Sequence, residues 1–447
     1  MRGSLAAGLG RAAYTLLVAV QVALLTRALT IGEYGIWASI AVVGSLAMVA
    51  AGMGVQLCNE LSRDGERRQG EKRELFLAAF SLLLWFGMAA VAALALLQGL
   101  LPWELLLNGS DPRLFALARQ AFLACLAVQL LALPLMLVSF AFRAFHENGL
   151  IAILGPASTA GCLLLLLVFL RAGASGQVYL APFLAWTLVN GVSLLLFLRR
   201  RGWSFRLLAP RQCWVLFSPL LRKSALFSVF GWTFALLTLN LPYFAGLARG
   251  FDSAGRLDLY FKLYLALLAG IADMVQPLWP AYSSHLSRRE FAWVRRSLGT
   301  SLAGTALLAL AGGLLLPLLA PPLVRWVTGR TIVIDDATFL MLGIWLLLCA
   351  AAHALQVFLN ARNVVRPQLA AALAVLLPMP LLSRRVGATG GTAGVILLNI
   401  LGVAVVLAIM ARKTLQEMAA ARTASIGPMT TPSGFACHRG SGTLPKP

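Results

Sequence analysis

The chain has 447 residues, of which 60% are hydrophobic and 12% charged, with mean hydropathy +0.84 and a formal net charge of +21. A soluble protein of this size must wet its surface, so this composition excludes a large soluble helical protein and points to a polytopic membrane protein. The basic excess sits in short loops between apolar runs, the pattern of topology signals rather than of a nucleic-acid-binding face.

A span needs about 20 apolar residues. On that criterion the chain in order carries twelve: 5–28, 35–57, 75–100, 114–140, 150–170, 178–198, 224–248, 257–283, 298–321, 338–359, 368–382 and 392–411. The first run is longer than a signal-peptide core and is read as a span. The eleventh is short and holds Pro378 and Pro380. Unbroken runs such as Leu163–Leu170 do not alternate as the strands of a membrane β-barrel would. The expected fold is therefore all-α, with about twelve transmembrane helices in two six-helix lobes around a central cavity. Residues 1–198 form the first lobe and 199–223 a basic linker. Residues 224–411 form the second lobe and 412–447 a Thr-, Ser-, Gly- and Pro-containing tail that reads as disordered.

Most of the 37 lysines and arginines fall on one side of this scheme, in loops such as 63–73, 199–223, 288–296 and 362–366 and in both terminal segments. The opposite side has the smaller set: Arg27, Arg113, Arg171, Arg249, Arg256, Arg325, Arg330, Arg384 and Arg385. Lys and Arg mark the cytoplasmic side, so both termini are expected there, as an even number of spans requires.

The eighth span is the most polar. It follows a link, Arg249–Arg256, and carries Asp258, Lys262 and Asp273. Charges at membrane depth are costly and are kept for cavities, partners or transport paths. Spacings of four and eleven residues put all three on one stripe of a straight helix, which reads as a cavity-lining helix. The competing reading of Lys262 and Asp258 is a structural i,i+4 pair. Gln21, Gln129, Asn190 and Asn240 are neutral polar groups at membrane depth. His353, Gln356 and Asn360 share a face of the tenth span, either bonding between packed helices or lining a cavity. Arg27 and Arg249 lie near the outer ends of spans one and seven. Trp37, Trp103, Trp279 and Trp326 fall near span ends, as an interfacial belt would. The six cysteines are scattered, with no metal-ligand spacing, and Gly387–Thr392 lacks the lysine of a phosphate-binding loop. No catalytic constellation and no large outer loop appear, so no enzyme activity and no cofactor is expected.

The first hairpin, Arg27-Ala-Leu29 followed by Glu33-Tyr34-Gly35, resembles the polysaccharide flippases of the multidrug/oligosaccharidyl-lipid/polysaccharide exporter superfamily. Asn240 and Tyr260 match the spacing of a seventh-span Asp and a later Tyr in that family, although Asn replaces the Asp and Asp258 replaces a Gly. Pro277 or Pro280, the Asn360–Arg366 segment and the Gly387–Gly391 turn are similar too. The resemblance implies alternating access and flipping of a polyprenyl-diphosphate-linked oligosaccharide repeat unit from the cytoplasmic to the outer leaflet. It implies a bacterial inner-membrane location and, as partners, that lipid-linked glycan, the bilayer and other membrane proteins of polysaccharide assembly. No nucleic acid is expected. The candidate substrate-binding residues are Arg27, Arg249, Lys262, Asn240, Gln21, His353 and Gln356. Asp273 and Asp258 are the candidates for Na⁺ or H⁺ coupling. The alternative is an ion-coupled small-molecule or drug antiporter of the same superfamily, which for cationic drugs calls for more acidic cavity residues.

Overall fold

In a computed structural model, residues 2–62, 69–109, 111–362 and 364–426 are described, and among them regular structure is helical throughout. Arg63, Arg67, Arg68, Asn363 and the tail from residue 427, with Cys437 and His438, lie outside the described residues.

The N-terminal lobe begins with α1 (Arg2–Ala28). Thr30 and Glu33 form a reciprocal capping box that starts α2 (Ile31–Gly44), and α3 (Ala47–Leu61) continues the same span after a bend. The third span is α4 (Gln69–Leu97), followed in the outer loop by the single turn α5 (Trp103–Leu106). The fourth is α6 (Pro112–Ala132), a 3₁₀ turn containing Pro134, and α7 (Met136–Ala144). The fifth is α8 (Asn148–Arg171), and a 3₁₀ turn then leads into α9 (Ala181–Arg201).

The C-terminal lobe starts with α10 (Pro210–Leu239). Asn240 breaks it from α11 (Leu241–Arg249), and Gly250, at φ +81°, turns the chain into α12 (Phe251–Val275). A left-handed φ of this size suits glycine, which has no Cβ to clash. After Pro277 comes α13 (Leu278–Ser287). Spans nine and ten are α14 (Phe291–Thr328) and α15 (Asp336–Ala361), the latter capped by Asp335. The eleventh is α16 (Arg366–Leu376) plus the start of α17 (Met379–Ile426), interrupted at Pro378 as a proline lacking its N–H requires. Gly391, at φ +62°, turns the chain inside α17 into the twelfth span.

All twelve expected spans coincide with helices. Nine stretches among the described residues are long and apolar enough to cross a membrane by themselves. The α1 stretch 12–28 and α16 are shorter, and α12, with its five charged side chains (Asp252, Arg256, Asp258, Lys262 and Asp273), is not among them.

Four expectations on boundaries change. The link Arg249–Arg256 shrinks to Gly250, because Phe251–Arg256 already form the first turns of α12. The eighth span is not one helix to Ser283, because Pro277 divides it. The basic linker 199–223 shortens to 202–209, since α9 runs to Arg201 and α10 begins at Pro210. The tail is helical up to Ile426, extending α17 past Arg412 rather than losing order there.

Helices α1–α9 pack together, as do α10–α17, and the second lobe holds a continuous core built around Phe230, Phe261, Trp345 and Val403. The lobes meet where α3 crosses α10 and where α2 crosses α12. A further apolar cluster joins Leu25, Leu29 and Tyr34 of the first lobe to Tyr260, Val324 and Phe339 of the second. These residues lie at the face opposite the basic loops, hereafter the outer face. That assignment has a direct check: a reporter fused at Gly329, between α14 and α15, should signal outside, and one fused within 202–209 should signal inside. Signals from the same side at both points would overturn the topology.

Candidate functional site

The α2–α12 crossing brings backbone onto backbone. A Cβ built on Gly35 would fall 1.7 Å from the carbonyl oxygen of Phe251, and one on Gly255 would fall 2.5 Å from that of Ile31. Only glycine at both positions lets the helices approach so closely. Asp252 Oδ1 lies 2.8 Å from where a Cβ of Gly32 would be, against the first turn of α2. A carboxylate there complements the partial positive charge of the helix N-terminus.

One turn deeper, Tyr34 of α2 donates its hydroxyl to Asp258 of α12 at 2.7 Å. Lys262 forms an ion pair with Asp258 and lies 3.2 Å from the Tyr34 hydroxyl, with its Nζ 5.5 Å from the Tyr34 ring centroid. Tyr34 and Asp258 are buried, and the Lys262 side chain retains 27% exposure. Each charged group has the partner that burial demands, and the network spans the two lobes. Around it, Asn108 donates to the carbonyl of Leu247 (2.9 Å), Tyr243 to that of Leu106 (3.0 Å) and Arg384 to those of Glu104 and Leu107. All of these tie the outer loop around α5 to the C-terminal lobe. At this face, the outer one in the expected topology, the two lobes are in contact.

Below the network the α12 stripe opens. Ala266 and Asp273 are exposed, and Gly270 faces space with nothing within 4 Å of an added Cβ. Asp273 has an interaction of its own among its neighbours.

The remaining candidates divide. Gln21, half-buried on α1, donates weakly to Cys162 Sγ at 3.4 Å and borders two adjoining cavities in the N-terminal lobe. Asn240 is buried and donates to the carbonyl of Ala235, so it caps a helix break rather than lining a cavity. Arg27 and Arg249 are exposed at the outer ends of α1 and α11 and make no hydrogen bond or ion pair with the Tyr34–Asp258–Lys262 network. His353 and Gln356 sit on α15 in the other lobe, where the His353 ring packs 5.6 Å from that of Phe234 and its Nδ1 is buried without a partner. The structure therefore brings Asp258 and Lys262 together and leaves the others dispersed.

Sequence reasoning missed Tyr34 as a site residue, although Glu33-Tyr34-Gly35 stood out as a motif. Trp37, expected at the membrane interface, instead faces the first N-terminal cavity. Among the described residues no group of three His, Cys, Asp or Glu side chains could hold a metal.

The same architecture occurs in solved structures. An inward-facing multidrug-resistance MATE family transporter of the MOP superfamily superposes with TM-score 0.67 at 14% identity, covering 92% of this chain and 96% of that one. The lipid II flippase MurJ in its inward closed conformation gives 0.67 at 14% identity, covering 95% and 90%. A variant of the Vibrio cholerae MATE transporter VcmN gives 0.60 at 17% identity, covering 92% and 98%. No protein-family model matches, and no curated protein matches by sequence. The fold is that of MOP superfamily transporters, and the chain is a multi-pass membrane protein.

Proposed function

We propose that the protein flips a polyprenyl-diphosphate-linked glycan from the inner to the outer leaflet of the bacterial inner membrane, by alternating access between its two lobes. The observation that carries this reading is the chemistry of the internal surface. The N-terminal cavities are lined by amides, hydroxyls, indoles and Arg143, with no carboxylate. In the inter-lobe network the one buried carboxylate, Asp258, is already matched by Lys262 and Tyr34. A cationic cargo would find no unmatched anion in these places. Lys262, though paired with Asp258, keeps 27% exposure against 7% for that carboxylate, so a diphosphate can reach its ammonium and add charge-assisted hydrogen bonds, while the prenyl chain stays in lipid.

In this cycle the outer contacts are shut while the cargo loads from within. Parting of α2 from α12 would then break the Tyr34–Asp258 bond, free Lys262 from the Tyr34 hydroxyl and release the head group outward. The excess of basic residues in the inner loops supports cytoplasmic termini.

The test uses purified protein in liposomes loaded with prenyl-diphosphate glycan extracted from cells that make the protein. Lectin added outside reads the glycan that has crossed. Protein-dependent lectin access is expected. No access, together with protein-dependent export of a cationic dye, would replace the flippase with a drug antiporter.

A further inference from the structure

We infer that the cavity inside the N-terminal lobe is a glycan subsite, in which the sugar stacks on Trp37 and Trp186 and bonds to the amides of Gln21, Gln129 and Asn190. The inference rests on the flippase reading and adds where the sugar goes, apart from the inter-lobe stripe.

Two adjoining cavities, of about 280 and 380 Å³, share Gln21, Pro182 and Trp186 and are lined only by N-terminal-lobe residues. Each is near the lower end of the range for small-ligand sites, about 300–1,000 Å³. The first holds Trp37 and Trp186 together with Gln129. Gln129 is 4% exposed, and its amide makes no hydrogen bond to any described residue. What exposure Gln129 keeps opens on the cavity it lines, so its amide is available there to water or to a ligand. The Gln129 amide has both donor and acceptor capacity, and the cavity it lines is where such a partner would sit. Asn190 satisfies its Nδ2 on the Trp186 carbonyl at 2.9 Å, which leaves its Oδ1 as an acceptor on the second cavity. Gln21 is tied only to a thiol, so its Oε1 is also free to accept.

Amides that both donate and accept, beside flat apolar rings, match a sugar. A pyranose has hydroxyls around its rim and a face of C–H bonds that packs on an indole. A cationic drug would lack an anion here, and a purely apolar ligand would leave the Gln129 amide and the Asn190 and Gln21 carbonyl oxygens unpaired.

The second cavity leads to Arg143, in the last turn of α7 at the inner end of the lobe, beside Ile151 at the start of α8. Arg143 is exposed and stacks over Phe140 at 5.4 Å. It is the one charged group on either cavity. A guanidinium at the mouth and amides inside fit the loading step, in which the diphosphate is still at the inner entrance while its sugar goes in, before the diphosphate passes to Lys262.

The test is protection from alkylation in the full-length protein with its native cysteines replaced. Ser158→Cys reports the N-terminal cavity, and Ala266→Cys reports the α12 stripe. The probe is the prenyl-linked glycan fraction from cells that make the protein, used intact or after mild acid removal of the glycan. The intact fraction should slow alkylation of Ser158→Cys several-fold and the acid-treated fraction should not. Gln129→Leu, which keeps shape and removes the amide, should abolish the protection. Equal protection by both fractions would mean that lipid or phosphate alone occupies the cavity and would overturn the subsite. Protection at Ala266→Cys without protection at Ser158→Cys would also overturn it, while leaving the flippase reading intact. Protection at neither position would count against both.

Discussion

Gly35→Val should stop transport while the protein still reaches the membrane. The added Cβ would lie 1.7 Å from the Phe251 carbonyl oxygen, and that neighbour is backbone, which cannot swing aside as a side chain can. The helices α2 and α12 must then separate at their outer ends. Separation costs the Tyr34–Asp258 bond and the apolar cluster of Leu25, Leu29 and Tyr260. The closed outer face becomes the unfavourable state, and loading from the inside fails. Flipping should fall by about tenfold or more, since a penalty above about 1.4 kcal/mol on one state is enough to shift the balance that far. A membrane-impermeant thiol reagent added outside should label Ala266→Cys several-fold faster in the Gly35→Val background. Gly304→Val on α14 is the control, because nothing lies within 4 Å of its added Cβ and it lines neither N-terminal cavity. It should keep most transport. Equal transport in both variants would remove the crossing from the mechanism.

Lys262→Ala carries the second large effect. It leaves Asp258, whose side chain is 7% exposed, with the Tyr34 hydroxyl alone. Breaking a buried pair by deleting one partner costs about 3–5 kcal/mol, because the other charge stays desolvated. Lower abundance and at least about a tenfold loss of flipping per molecule are expected. Lys262→Arg should retain part of the activity, since the charge remains and only its reach and shape change. The informative variant is Lys262→Met combined with Asp258→Asn. It removes both charges, so abundance should recover, yet flipping should stay low because the diphosphate has lost its cation. If the double variant flips at the parental rate per molecule, the pair is structural and the role proposed for Lys262 fails.

The fold was legible in the sequence to the extent that apolar length decides it. The twelve apolar runs coincide with helices, nine stretches among the described residues being long and apolar enough to cross a membrane, and the least regular run, with Pro378, broke where its backbone lacks a donor. Boundaries were less legible because polarity alone does not end a helix. Arg249–Arg256 looks like a loop, yet Gly250 alone carries the turn, and Asp252 and Asp258 of α12 face α2 in the lobe contact. The site was half legible. An i,i+4 spacing of opposite charges is visible in a sequence, so Asp258 and Lys262 could be paired there. Tyr34 is 224 residues from Asp258, and nothing local announces that bond. Trp37 and Gln129 likewise show their role only when α2 and α6 face the same cavity. Arg27 and Arg249 stood out through charge at span ends, which is also where arginines snorkel to water.

The central claim is that α2 and α12 part at the outer face during every transport cycle. The most direct measurement is a reversible lock across that seam. Cγ of Asp252, which stands where Sγ of a cysteine at 252 would be, lies 3.9 Å from the Cβ position of Gly32, so a cysteine pair at these positions is within reach of a disulfide. In Gly32→Cys/Asp252→Cys, with the native cysteines replaced, oxidation should form the disulfide and stop flipping in liposomes, and reduction should restore it in the same sample. Fully cross-linked protein that flips at the reduced rate would contradict the account, because the outer seam would then not need to open.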